Sequence, residues 1–150
     1  TGARWPARMQ RLDPGPLVRL LPSGSEVWLD GGHNANAADA VAAAIAALTD
    51  SRPLHVVIGM LDNKDAGAMV ARLAPLARSA TGVPVPGHGF HAPARLAQLA
   101  GAIGREAPDV TGALAAIAAI SDAANPPVGL VCGSLYLAGT GLGADGQLPD

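Results

Sequence analysis

Short runs of mostly apolar residues recur along the chain and predict β-strands. Four of them are residues 26–29, 54–59, 79–85 and 128–132. The second of these reads Leu-His-Val-Val-Ile-Gly, an almost continuous apolar stretch that is typical of a strand covered on both faces in a parallel sheet. A fifth run, residues 17–21, is joined to 26–29 by Pro-Ser-Gly-Ser, whose turn chemistry predicts a hairpin. The runs therefore predict a mainly parallel sheet that begins with one antiparallel pair.

Between the predicted strands, apolar residues recur with the spacing of helices. The first helix is expected to begin near Ala37, with Asn36 as its cap and Asp39 in its first turn. The second is expected to begin near Asp65 and to end or kink at Pro75. The residues expected to face inward, from the first helix to the fourth, are Val41, Ile45 and Leu48; Met69, Leu73 and Leu76; Leu96, Leu99, Ala100 and Ile103; and Leu114, Ile117 and Ile120.

Strands that alternate with helices indicate an α/β domain. We expect a three-layer, Rossmann-like fold: a mostly parallel sheet of about six strands, with one antiparallel edge strand and helices on both faces. Residues 1–150 are expected to form a single domain, because this length suits one core and no internal repeat is visible. Residues 139–150 are rich in glycine, and we expect them to form a flexible tail.

Composition and charge narrow the classes of function. Apolar residues make up 49% of the chain and charged residues 15%, which favours a folded interior. The formal net charge of −2 offers no basic surface for nucleic acid. No apolar run reaches the ~18 residues of a membrane span. Cys132 is the single cysteine, which excludes an internal disulfide and a multi-cysteine metal site. We therefore expect a cytoplasmic protein that binds neither nucleic acid nor membrane.

Polar and ionisable residues follow three of the predicted strands. Asp30 and His33 come after the first, Lys64 and Asp65 after the second, and Ser134 after the last. Because the carboxyl ends of parallel strands meet at one edge of a sheet, and open α/β sheets bind ligands there, these residues indicate a binding site.

Each of these residues also has a structural interpretation. Asp30 and Ser134 are residue types that cap helices, and His33 is compatible with an ordinary surface position. Lys64 and Asp65 could form a solvated ion pair that contributes little.

Other motifs are interpreted as structural or excluded. His55 lies within a strand, and His88 and His91 lie in a loop, so none of them is assigned chemistry. The glycine spacing at residues 141–146 does not follow a strand, and we exclude it as a dinucleotide site. A serine hydrolase is disfavoured because Ser134 lacks glycine two residues to either side, which a nucleophile elbow requires.

Four segments carry a family resemblance. They are WPARMQ at residues 5–10, LDGGHN at 29–34, GMLDNKD at 59–65 and CGSLYL at 132–137. In order and spacing they resemble the C-terminal domain of folylpolyglutamate synthase/dihydrofolate synthase, within the Mur ligase superfamily. The resemblance covers essentially the whole chain and implies the fold of a Mur ligase C-terminal domain. Ala35 is a departure, because the family usually has proline there and its loss frees the backbone at the helix start.

The resemblance implies an ATP-dependent amide ligase. A carboxylate of dihydropteroate or of a folate glutamate tail is phosphorylated to an acyl phosphate, and the amine of L-glutamate then displaces phosphate. ATP and Mg²⁺ are expected to be held mainly by an N-terminal ATP-binding domain that is missing here, because the chain contains no Gly-x-x-x-x-Gly-Lys-Ser/Thr loop. We expect the chain alone to be inactive. Its expected partners are that domain, L-glutamate, ATP and the folate or dihydropteroate substrate.

The resemblance also implies roles for particular residues. Arg8 is expected to contact ATP, and Asp30 to accept hydrogen bonds from the ribose hydroxyls. His33, with the helix start that follows it, and Ser134, with the amides of its turn, are expected to hold the incoming glutamate.

Lys64 is expected to add positive charge near the glutamate or the acyl phosphate. Together with His33 it is expected to be a catalytic residue. Asp65 is expected to contact substrate, to orient Lys64 or to cap the following helix. No metal ligand is expected within this chain. Two alternatives stay open: a non-catalytic binding module of the same fold, and the C-terminal domain of another Mur-type ligase.

Overall fold

The computed structural model describes residues 9–32, 34–134 and 137. They form one sheet with helices on both faces. The strands are β1 Gln10–Arg11, β2 Glu26–Leu29, β3 Leu54–Ile58, β4 Ser79–Gly82, β5 Gly104–Glu106 and β6 Val128–Cys132. The helices are α1 Ala35–Thr49, α2 Ala66–Leu73, α3 Pro93–Ala100 and α4 Val110–Ala119. Short 3-10 turns cover Val18–Leu20, Ala74–Leu76 and Gly101–Ile103.

The strand order across the sheet is β1-β2-β6-β3-β4-β5. β1 runs antiparallel to β2, and every other pair of neighbours is parallel. β6, the last of the described strands in chain order, is inserted between β2 and β3, so the chain crosses back over the sheet after β5. The expected fold class, a mostly parallel α/β sheet with one antiparallel edge strand, is confirmed.

Two apolar cores cover the two faces of the sheet. Along β3, Leu54, Val56 and Ile58 pack against α1, α2 and α3, whereas Val57 faces α4 and the 3-10 turn at Val18–Leu20. Every residue of β3 and of β6 is buried. A strand with both faces covered favours apolar residues at every position, and this explains the nearly continuous apolar runs in the sequence. The polar exception in β3 is His55, whose Nδ1 lies 2.7 Å from Ser79 Oγ.

The predicted hairpin is wrong. Residues 17–21 contain a 3-10 turn rather than a strand, and the antiparallel partner of β2 is β1, with Arg11 opposite Trp28. Leu17 and Leu21 are buried while Arg19 between them is exposed. A strand would place all three of these side chains on one face, so the turn is the conformation that keeps the arginine in water.

The boundaries of α1 and α2 differ from the expected ones. α1 begins at Ala35, and its cap is Asn34 rather than Asn36, so Asp39 lies beyond the first turn. Leu76, expected to face inward, is 43% exposed because the 3-10 turn after α2 changes the rotation per residue.

Helix and strand ends account for the other corrections. Ile120 caps the end of α4 and is 49% exposed, and Ile103 lies in a 3-10 turn rather than in α3. β4 ends at Gly82, three residues earlier than predicted, and β5 was not predicted at all. The predicted flexible tail at residues 139–150 lies outside the described residues.

Candidate functional site at the carboxyl edge of the sheet

The loops that follow β2, β6 and β3 lie side by side at the carboxyl edge of the sheet. The ladder continues past the strand ends: the Asp30 N–H donates to Val131 O at 2.9 Å, and the Gly59 N–H donates to Cys132 O at 3.1 Å. Neighbouring strands lie about 4.8 Å apart, so the three strand ends span roughly 10 Å. This distance suits a single small ligand that contacts all three loops.

Asp30 organises the loop after β2. The residue is 2% exposed, and its Oδ2 accepts the Gly32 N–H at 2.9 Å. The turn is tight, because a Cβ on Gly32 would lie 2.8 Å from Asp30 Oδ2 and 2.5 Å from the Cβ of Ala37. The structure therefore gives Asp30 a definite structural role as a turn-stabilising carboxylate.

The N-terminus of α1 points toward the same edge. Asn34 Oδ1 accepts the Ala37 N–H at 2.9 Å and caps the helix, and no acidic residue lies in its first turn. The positive end of the helix dipole therefore has no side-chain carboxylate of that turn to compensate it, and an anion is favoured there.

The loop after β6 begins with a glycine in the left-handed region. Gly133 has a φ of +105°, and a Cβ there would lie 2.5 Å from Gly59 O. The close approach joins this loop to the end of β3. Ser134 comes next; it is 3% exposed, and its Oγ accepts the Leu137 N–H at 3.4 Å. The structural interpretation of Ser134, a cap, is therefore the one that the hydrogen bond supports.

Lys64 and Asp65 lie at the end of the loop after β3, immediately before α2. Asp65 Oδ1 accepts the Ala68 N–H at 3.0 Å, so Asp65 caps α2. Lys64 is partly exposed, and among the described residues its ammonium forms no ion pair. The solvated Lys64–Asp65 pair considered from the sequence is thus not formed in the structure.

Cys132, at the end of β6, is a buried free thiol next to the site. Its burial, and secondarily the negative charge of Asp30, raise the pKa of the thiol well above its ordinary range. The thiol therefore stays protonated at neutral pH and acts as a small apolar side chain rather than as a nucleophile.

The remaining expected site residues, Arg8 and His33, lie outside the part of the chain that the structure describes. Within the described ranges, no group of three or more His, Cys, Asp or Glu side chains is arranged to hold a metal ion. In the same ranges, no helix is long and apolar enough to cross a membrane.

A cavity of about 630 Å³ lies elsewhere, beside the amino end of β2. Arg11, Arg19 and the turn that precedes Glu26 contribute to its walls. Asp30, Lys64 and Ser134 do not line it, so it is separate from the carboxyl edge.

These features define an α/β domain of the Rossmann type in which the loops after β2, β3 and β6 carry polar residues at one edge of the sheet. A family model described as the Mur ligase glutamate ligase domain matches residues 8–135, and the chain belongs to that family. This confirms the family indicated by the four sequence segments.

Individual relatives agree with this assignment. Folylpolyglutamate synthase of Lacticaseibacillus casei is 32% identical over 136 residues, which are 91% of this chain and 28% of that protein. The structure of Mycobacterium tuberculosis folylpolyglutamate synthase complexed with ADP and AMPPCP aligns with a TM-score of 0.73 and 29% identity, over 93% of this chain and 34% of that one. Escherichia coli FolC in complex with ADP aligns with a TM-score of 0.71 and 26% identity, over 89% of this chain and 31% of that one. The chain thus spans about a third of the length of these relatives.

Proposed function

We propose that this chain is the C-terminal domain of an ATP-dependent ligase that adds L-glutamate to dihydropteroate, to folate polyglutamate tails, or to both. The observation that carries the proposal is the convergence of three loops at one edge of the sheet, in a member of the glutamate ligase domain family. The relatives' complexes support it: the Mycobacterium tuberculosis enzyme was crystallised with ADP and AMPPCP, and Escherichia coli FolC with DHPP and ADP.

The proposed reaction has two steps. A substrate carboxylate oxygen attacks the γ-phosphorus of ATP, and the bond to ADP breaks, which gives an acyl phosphate. The amine of L-glutamate then attacks the acyl carbon; it loses a proton, phosphate leaves, and an amide bond forms. Mg²⁺, when bound, neutralises charge on the phosphates, and by the family resemblance its ligands belong to an N-terminal domain.

The second step explains why a separate domain serves this chemistry. An acyl phosphate is hydrolysed by water, so the site must exclude water and align the amine with the acyl carbon. Alignment alone can contribute roughly 7–11 kcal/mol to lowering the barrier. We propose that this domain closes over an ATP-bearing N-terminal domain and brings the glutamate with it.

The nucleotide contacts are assigned to Arg8 and Asp30. A guanidinium binds phosphate oxygens in a bidentate manner, which suits Arg8 at the junction between domains. An ionised carboxylate only accepts hydrogen bonds, which suits Asp30 to the ribose hydroxyls. Because Asp30 is 2% exposed, we expect ligand binding to be accompanied by a local opening of this loop.

The glutamate contacts are assigned to the other groups of the edge. The N-terminus of α1, with His33 before it, and the Ser134 turn are suited to the α-carboxylate. The Lys64 ammonium, which no described carboxylate neutralises, adds positive charge for the glutamate or the acyl phosphate. Asp65 acts indirectly: its side chain caps α2, and this cap fixes the backbone next to Lys64. We place the activity in the cytoplasm, where the free Cys132 thiol stays reduced.

The test is a ligation assay on the complete gene product that contains these 150 residues. With ATP, Mg²⁺ and labelled L-glutamate, we expect label to be incorporated into dihydropteroate or a folate monoglutamate, with one ADP released per amide. The chain alone is expected to show neither ligation nor ATP hydrolysis. No incorporation by the complete product, with nucleotide and glutamate still bound, would favour the non-catalytic module. Incorporation into a peptidoglycan precursor instead would identify another Mur-type ligase.

A further inference from the structure

The loop after β3 is held in place by a second loop, between β4 and α3, that was interpreted from the sequence as merely structural. Leu61 and Phe90 form an isolated antiparallel bridge. The Asp62 N–H donates to Gly89 O at 3.2 Å, and the His91 N–H donates to Met60 O at 2.9 Å. The two loops therefore form a short ribbon at the carboxyl edge, next to the candidate site.

The side chain of His91 adds a contact of a different kind. Its Nε2 lies 2.7 Å from the carbonyl oxygen of Lys64. A carbonyl oxygen only accepts hydrogen bonds, so Nε2 must carry the proton and donate it. The same carbonyl accepts the Ala66 N–H at 3.1 Å, at the start of α2. The Lys64 backbone is thereby fixed from two sides.

We propose that His91 is a positioning residue for Lys64: its imidazole fixes the Lys64 carbonyl, and so aims the lysine ammonium at the glutamate site. The proposal rests on the role assigned to Lys64 under the proposed function. Ordering a loop when a ligand binds costs conformational entropy, so a Lys64 backbone that is fixed beforehand lowers the cost of placing the lysine charge. His91 itself contacts no substrate in this account.

The contact can be removed without undoing the ribbon. The main-chain hydrogen bonds at Asp62 and His91, and the Leu61–Phe90 bridge, do not involve the imidazole. Among the hydrogen bonds of the described residues, replacing His91 by alanine deletes the side-chain bond to Lys64 and keeps the main-chain bonds of the ribbon. Glutamine retains an N–H donor at a similar distance from the backbone, so His91→Gln is the matched variant that keeps the contact.

The first experiment is a double-mutant cycle on the complete gene product, with the KM for L-glutamate as the readout. We expect Lys64→Ala and His91→Ala each to raise this KM, the latter by about 3- to 10-fold, with a smaller effect on kcat. His91→Gln should restore the KM. In the Lys64→Ala background, His91→Ala should add less than about 2-fold, because it acts through a side chain already removed.

The outcomes separate the two proposals. If Lys64→Ala leaves the KM unchanged, the role of Lys64 fails and the role of His91 fails with it. If Lys64→Ala raises the KM but the two effects multiply in full, or His91→Gln is as impaired as His91→Ala, only the positioning role is overturned.

A second measurement needs no activity. Imidazole nitrogen NMR on the chain should find His91 with its proton on Nε2, protected from exchange with solvent. A proton on Nδ1 with Nε2 unprotonated would overturn the geometry directly.

Discussion

Protonation of a buried histidine should make this fold sensitive to mild acid. His55, on β3, is 3% exposed, and its Nδ1 lies 2.7 Å from Ser79 Oγ on β4. Its burial, and secondarily the positive charges of Arg78 and Arg105, lower the pKa of His55 from 6.5 to about 4. The folded protein therefore holds this imidazole neutral at pH values where the unfolded chain has already bound a proton.

The size of the effect follows from the two pKa values. Between about pH 6.5 and about pH 4 the unfolded chain binds more protons than the folded protein does, so the free energy of unfolding falls as the pH falls. The complete loss in the free energy of unfolding, reached when the pH lies below both pKa values, is about 3 kcal/mol. Between about pH 7 and about pH 5 the expected loss from His55 is about 2 kcal/mol.

Urea unfolding followed by far-UV circular dichroism, on the chain and on His55→Asn, measures this loss. Asparagine keeps a polar atom at the δ position but does not titrate, so carboxylates and the other histidines contribute equally in both proteins. We expect the pH-dependent loss in the variant to be smaller by about 2 kcal/mol over this interval. Equal losses in the two proteins would refute the assignment of a neutral, buried His55.

Two further predictions concern the loops of the candidate site. Gly133→Ala should destabilise the fold by about 2 kcal/mol or more, because its φ of +105° and the proximity of Gly59 O leave no room for a Cβ. Gly67→Ala is the matched control within α2: its Cβ meets nothing closer than 3.5 Å, so it should stabilise by about 0.5–1 kcal/mol. Equal effects of the two substitutions in urea unfolding would contradict this reasoning. Asp65→Ala should lower the free energy of unfolding by about 1 kcal/mol, because the hydrogen bond from the Ala68 N–H is lost, and Asp65→Asn should lower it much less. A similar loss in both variants would show that this bond contributes nothing to stability.

The parts of the fold that were predicted are those in which burial dictates the sequence. β3 and β6 are covered on both faces, so nearly all of their residues are apolar, and short apolar runs of this kind predict buried strands. β1 has two residues, both exposed, and β5 at the opposite edge is also mostly exposed. Edge strands of this kind are fixed by main-chain hydrogen bonds. Such bonds do not require apolar side chains, so the sequence shows no apolar pattern that would predict these strands.

The candidate site likewise has a part that the sequence predicts and a part that it does not. The position of the loops that carry Asp30, Lys64 and Ser134 at one edge follows from the strand order, and the parallel strands made it predictable. The contact between His91 and Lys64 joins residues 27 positions apart through a backbone carbonyl. A carbonyl is present in every residue, so the sequence carried no signal for it.

Steady-state kinetics of Asp30→Asn and Ser134→Ala in the complete gene product test the central claim most directly. Asparagine retains an acceptor for the Gly32 N–H, so this variant changes the charge while it preserves the turn. The account predicts that Asp30→Asn raises the KM for ATP and Ser134→Ala the KM for L-glutamate, each by about 10-fold or more. Exchanged effects, or two unchanged KM values in folded variants, would contradict it.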